Sequence, residues 1–78
     1  MERELIIDGA YRHFKGAWYT VIAVAEHSET GEELVVYRNV ETKKVYARPK
    51  TMFMSKVDKA KYPKEKQEYR FECMEPLF

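Results

Sequence analysis

The side chains of this 78-residue chain that can do chemistry gather between residues 11 and 48. Its two histidines, His13 and His27, stand in sequence near Ser28, Glu29 and Glu33, with Arg12, Tyr37 and Arg48 completing the polar set. Two imidazoles and a carboxylate are the ligand set of many metal centres. Here no His-x-His or His-x-x-x-His pair places two ligands on one face, so the spacing requires no metal. His27 beside Ser28 suggests a base and a nucleophile. Neighbours within one turn rarely aim at each other, however, and no glycine-flanked elbow exposes the hydroxyl. Ser28 therefore reads as a turn-capping residue. Cys73, the single cysteine, sits beside Glu72 and near Glu75. Negative neighbours disfavour the thiolate, so a buried strand thiol is expected. No catalytic residue, metal or cofactor is expected on these grounds.

What remains is binding chemistry. Arginine stems cover apolar surface, and the heads of Arg12, Arg38 and Arg48 are expected to pair with Glu26, Glu29 or Glu33. Alternatively, one or two of them join His13 and Tyr37 in a shallow groove for an anionic group. The aromatics Tyr11, Phe14, Trp18, Tyr19, Tyr37, Tyr46 and Phe53 exceed what so small a core needs. Most belong inside; one or two exposed rings would make a stacking surface for an extended peptide.

Composition narrows the classes. A formal net charge of +1 argues against electrostatically driven nucleic-acid binding. The charge is uneven: Glu26, Glu29, Glu32 and Glu33 crowd one stretch, whereas Lys56, Lys59, Lys61, Lys64 and Lys66 face only Asp58 and Glu65 in another. Both read as solvated loops. One thiol can form neither an internal disulfide nor a zinc cage, and fits a reducing compartment. There is no apolar run of the ~20 residues a membrane helix needs, and Met1-Glu2-Arg3-Glu4 does not open a signal peptide. The expectation is a cytoplasmic protein with no membrane contact. Chains of this length bury only about 60% of their unfolded surface, so one small domain over residues 1–78 is expected.

The elements that must position these residues are strands. Asp8-Gly9 marks a turn, and Tyr11 to Lys15 reads as a short strand ended by Gly16. Trp18 to Glu26 is rich in aromatic and β-branched residues and contains no Gly or Pro. Trp18, Thr20, Ile22 and Val24 share one face; Tyr19, Val21, Ala23 and Ala25 share the other. Two apolar faces imply a central or strongly curved strand. Ser28-Glu29-Thr30-Gly31 suits a tight turn. Glu33 to Val40 follows as its partner, then a turn at Glu41-Thr42-Lys43 and a strand at Lys44 to Arg48. Pro49 ends that ladder, since it has no N–H. A 3₁₀-like turn over Pro49 to Met52 is expected to deliver Met52 and Phe53 to the core. Ser55 to Asp58 reads as a brief strand, the Lys-rich stretch around Pro63 as a loose linker, and Glu68 to Met74 as a closing strand. Glu75 to Phe78 is a tail. Several short strands and tight turns point to an all-β domain, a small barrel of about five to six antiparallel strands, because closure removes adhesive sheet edges.

At these residues the chain resembles a small bacterial family, domain of unknown function sixteen fifty-three. The resemblance rests on Tyr11-Arg12-His13-Phe14-Lys15-Gly16, Tyr19, Val21, Val24-Ala25, His27-Ser28-Glu29-Thr30, Glu33, Val35-Val36-Tyr37, Arg48-Pro49 and Met52-Phe53. It covers about residues 9–57, and Tyr69-Arg70-Phe71 is similar to the family's closing segment. It implies a compact SH3-like barrel with no established activity. The chain departs from the family pattern at residues 41–46 and in its Lys-rich insert.

Three readings of function follow. The first is a non-enzymatic module that binds a protein segment or small anionic ligand through Arg12, His13, His27, Glu29, Glu33, Tyr37 and Arg48. The second is a nucleic-acid-binding barrel using the Lys56 to Lys66 segment and aromatic stacking. The third is a metal-dependent hydrolase on His13, His27, Glu29 and Glu33, for which so small a domain offers little room to exclude water.

Overall fold

The structure is a computed structural model that describes residues 4–73. Five strands, β1 (Ala10–His13), β2 (Trp18–Glu26), β3 (Glu33–Asn39), β4 (Val45–Pro49) and β5 (Phe71–Cys73), form one antiparallel sheet in the order β4-β3-β2-β1-β5. A single helical turn, α1 (Lys50–Phe53), follows β4. The molecule is thus a small, mostly-β domain built on a five-stranded antiparallel sheet.

The unbroken β-branched and aromatic run of β2 takes the central place in the sheet, flanked by β1 and β3. The expected alternation of faces holds only to Val21. Val21 lies opposite Tyr37 and Ala23 opposite Val36, so Ile22 is an extra residue and β2 bulges there. After the bulge Val24, not Ala23 or Ala25, shares a face with Val35. Such bulges bend and twist a strand.

One face of the sheet carries the core: Tyr11, Val21, Val35, Tyr37 and Phe71, joined by Phe53 from α1. Phe53 and Phe71 stack with centroids 4.1 Å apart, and Tyr11 meets Phe53 edge-on at 5.5 Å. Pro49 does not stop the ladder before itself but closes it, opposite Leu34. The turn after it is α rather than 3₁₀: the Met54 N–H donates to the Lys50 carbonyl at 2.9 Å. Phe53 is fully buried, whereas Met52 is 48% exposed. Successive helical residues point about 100° apart, so one turn can deliver only one of the two.

Residues 54–70 are a pinned loop rather than a strand and a loose linker. The expected strand at Ser55 to Asp58 shrinks to one bridge, Lys56 with Tyr69. Backbone bonds from Val57 to Glu68 and from Arg70 to Ser55 close the loop's neck. The closing strand is confined to Phe71–Cys73, with Cys73 packed against the core. Met74 and the tail to Phe78 lie outside the described residues. Gln67 fastens the loop to β1. It is 8% exposed; its Nε2 donates to the Arg12 and Tyr69 carbonyls, each at 2.9 Å, and its Oε1 accepts from Arg12 Nη1 at 2.8 Å. A buried amide so fully satisfied holds its surroundings in place.

Candidate functional site

β1 ends in a tight turn. The Gly16 N–H donates to the His13 carbonyl and the His13 N–H to the Ala17 carbonyl, each at 2.8 Å. Gly16 has φ of +109°, a conformation that disfavours side chains. Within the turn the Lys15 N–H donates to His13 Nδ1 at 3.1 Å. In the neutral ring, Nε2 therefore carries the proton. The imidazole stacks on Phe14 at 4.6 Å and meets Phe71 edge-on at 4.8 Å.

Positive charge surrounds this ring. Arg48 lies opposite Val35, so it projects from β4 onto the core face. Its Nε donates to the Tyr37 hydroxyl at 3.3 Å, and its guanidinium carbon lies 5.7 Å from the Phe71 ring centre. Arg70, just ahead of β5, donates from Nε to Ser55 Oγ at 3.3 Å. Lys15 Nζ lies 5.9 Å from the Phe14 ring and 5.6 Å from Tyr62, and Lys61 Nζ lies 5.9 Å from Tyr62. Lys15, Arg48, Lys61 and Arg70, with His13, Phe14, Asp58 and Tyr62, line an open pocket of about 310 Å³. Four formal positive charges thus face one carboxylate, a balance of 4 − 1 = +3.

Among the described residues none of the four cations is in an ion pair; the two ion pairs lie elsewhere, Lys50 with Glu33 at 3.8 Å and Lys56 with Glu68 at 3.5 Å. Asp58 Oδ1 instead accepts the Ala60 N–H at 3.0 Å. Burial, reinforced by the charges of Arg48, Arg70 and Lys15, lowers the His13 pKa to about 4. Its imidazole is neutral at neutral pH, since protonation would place a further cation among three.

The expected site residues divide into three places. His13 and Arg48 line the pocket, and Tyr37 orients Arg48 from behind. Arg12 lies on the opposite face, across from Trp18 and Glu72, where it holds Gln67. His27 and Glu29 lie beyond Glu26 at the far end of β2, and Glu33 stands opposite Glu26 at the start of β3. There His27 Nδ1 accepts the N–H groups of Glu29 and Thr30 at 3.1 and 3.3 Å. The turn is thus capped by His27, not by Ser28 as the residue types suggested. Glu33 pairs with Lys50, so the expected Arg–Glu pairs are replaced by Arg12 with Gln67 and Arg48 with Tyr37. The length of β2 separates the two imidazoles, and among the described residues no three His, Cys, Asp or Glu side chains group to hold a metal ion.

Sequence reasoning missed Lys15, Lys61, Tyr62 and Arg70 as members of one site. Lys15 and Arg70 carried a signal, since each lies within a segment that bears the family resemblance. Lys61 and Tyr62 carried none: they sit in a stretch without period, and only the pinned loop brings them to His13. That loop also occupies two of its own lysines, Lys59 and Lys56. Lys59 Nζ donates to the Glu65 carbonyl and, at 3.1 Å, to that of Gln67, while Lys56 lies over Tyr69 at 6.0 Å.

The family described as "Protein of unknown function (DUF1653)" matches residues 9–73, which include every residue of the pocket. The structure is similar to the crystal structure of a protein of that family from Bordetella bronchiseptica, with a TM-score of 0.72 and 25% identity, over 94% of this chain and 92% of that one. No curated protein matches the chain. A match over that span, with a similar fold in a member of the same family, shows that this chain belongs to the DUF1653 family.

Proposed function

We propose that the domain is a non-enzymatic binding module whose ligand presents a small anionic group, a carboxylate or a phosphate, to the pocket formed by Lys15, Arg48, Lys61 and Arg70. The observation that carries this reading is four cations, unpaired with any described carboxylate, around one open pocket. Like charges gathered without a counter-ion raise each other's energy, and a bound anion removes that cost. The two guanidiniums are already oriented through Nε, by Tyr37 and by Ser55. Their Nη groups remain as donors in the fork geometry that matches two oxygens. His13, held neutral, adds an Nε2–H donor without further repulsion, and Phe14 and Tyr62 wall the site. No nucleophile–base pair is needed in this reading.

Two further parts of the proposal concern the frame. The sheet is that of a partly open SH3-like barrel: Arg48 of β4 reaches Phe71 of β5, although these strands stand at opposite ends of the sheet order and do not pair. The location is cytoplasmic, which suits a single free thiol at Cys73.

The test is titration of inorganic phosphate and of acetate into isotope-labelled protein, followed by NMR. Saturable shifts at Lys15, Arg48 and Arg70, and a rise in the His13 pKa from about 4, are expected. Arg70→Gln should weaken binding about tenfold, the loss of one charge-assisted contact. Shifts that do not saturate, or that persist unchanged in both Arg48→Gln and Arg70→Gln, would sink the reading.

A further inference from the structure

β4 is an end strand of the sheet, and among the described residues its outer edge pairs with no other strand. The hydrogen-bond phase of its hairpin with β3 is set at the turn, where the Asn39 N–H donates to the Lys44 carbonyl at 2.9 Å. Bonded and non-bonded pairs alternate along an antiparallel ladder. The pairs Tyr37–Tyr46 and Val35–Arg48 are therefore bonded, and Arg38–Val45 and Val36–Ala47 are not. It follows that the N–H and C=O of Val45 and Ala47, and the C=O of Pro49, point outward. Among the described residues these groups have no backbone partner. Residues 45–47 are all exposed, Val45 to 56%.

The charge along this edge is mainly positive. Residues 41–57 hold Lys43, Lys44, Arg48, Lys50 and Lys56 against Glu41 alone. Lys50 and Lys56 are in ion pairs, whereas Lys43, Lys44 and Arg48 are in none among the described residues. Lysine and proline on an edge oppose its pairing with a second copy. Antiparallel pairing of two β4 edges would set these cations against one another. The same cations attract a strand of opposite charge. Alternating free N–H and C=O groups match a peptide backbone and not a sugar–phosphate chain.

We propose that the β4 edge receives an acidic, extended segment of another protein, which adds as a further strand through Val45 and Ala47 and is held by Lys43 and Lys44. This site is separate from the pocket, whose Arg48 projects onto the core face.

The experiment selects peptides from a random library on the folded domain, then measures amide hydrogen exchange with the enriched peptide bound. Enriched sequences should be rich in Asp and Glu, and exchange at Val45 and Ala47 should slow. Ala47→Pro removes one outward N–H and no bond to β3. It should weaken the peptide about tenfold or more while leaving the phosphate titration of the pocket unchanged. The double substitution Lys43→Glu and Lys44→Glu, both on the exposed turn, should abolish selection of acidic sequences. Arg70→Gln should do the reverse, weakening phosphate and sparing the peptide, so the two sites fail separately. Selection of non-acidic peptides, protection away from residues 45–47, or indifference to both edge variants would overturn the proposal. So would slowed exchange at Val45 and Ala47 that depends on protein concentration alone, or that a single-stranded oligonucleotide produces in place of the peptide.

Discussion

The two histidine turns of this protein are built alike and end in different places. Each imidazole accepts through Nδ1 a backbone N–H from two residues ahead, Lys15 for His13 and Glu29 for His27, at 3.1 Å in both. Each turn ends in a glycine with positive φ, Gly16 at 109° and Gly31 at 76°. There the likeness stops. His27 lies among Glu29, Glu32 and Glu33, and its turn is satisfied by its own backbone and by Thr30 Oγ1, which accepts the Glu32 N–H at 3.2 Å. His13 lies between Phe14 and Phe71 and faces Arg48, Arg70 and Lys15. Both turns close hairpins. Only the His13 turn is also one wall of a cationic pocket. A local hydrogen-bond motif sets the shape of a turn, and what packs against the ring sets its chemistry.

The strongest way to break this contrast is to remove the wall that His13 has and His27 lacks. Phe71→Ala deletes a ring stacked on Phe53 and in contact with His13, Tyr19, Tyr37 and Arg48. A loss of about 3–5 kcal/mol is expected in chemical denaturation, a large share of the stability of so small a domain.

The next largest effect concerns charge. Arg48→Gln should reduce phosphate affinity about tenfold by NMR titration, whereas Glu29→Gln and Glu33→Gln at the far turn should leave it unchanged. An equal response from both ends of β2 would erase the distinction between the two turns.

A smaller effect lies in pH. His13 has a pKa of about 4 in the folded protein against 6.5 for the freely solvated imidazole of an unfolded chain. Between these values the unfolded chain binds the proton and the folded one does not, so stability falls as pH drops from about 6.5 to about 4. Because the ring is only partly buried, solvent screening reduces the loss to on the order of 1 kcal/mol. Denaturation midpoints across this range should show the slope, and His13→Gln should flatten it. Saturating phosphate should flatten it too, since an anion among the arginines favours the imidazolium.

The smallest effect is at the other histidine. His27→Ala removes an acceptor for two exposed N–H groups and should cost about 0.5–1 kcal/mol, with no change in phosphate binding. A loss as large as that from Phe71→Ala would show that this turn carries more of the fold than its exposure allows.

Much of the frame was legible along the chain. The bounds of β2 could be read at Trp18 and Glu26 because nine unbroken residues favour a strand and Gly or Pro flank none of them inside. Its two apolar faces told that it is central. The turns could be read wherever Gly or a short polar side chain is required by φ or by a free N–H. The bulge at Ile22 could not, since a period of two shows no sign of the one residue that interrupts it. Nor could the choice of Phe53 over Met52, because both are apolar and only the direction of α1 against the sheet separates them. The site was the least legible part. Residues 27–33 looked the richest in chemistry, yet they are close in sequence and bond mostly to one another. The pocket draws on residues 13–15, 48, 58, 61, 62 and 70, which share no local pattern.

The amino-acid sequence by itself determined β1 to β4, most of the turns and the family, because these depend on the conformations each residue allows and on apolar spacing within a few neighbours. Only the tertiary structure decided where the charge gathers. β4 and β5 stand at opposite ends of the sheet order, and the sheet must curl around Phe53 and Phe71 before Arg48 can meet His13 and Arg70. Gln67 must then pin the loop before Lys61 and Tyr62 can join them. Coulomb and ring contacts act over a few ångströms of space, whatever the distance along the chain.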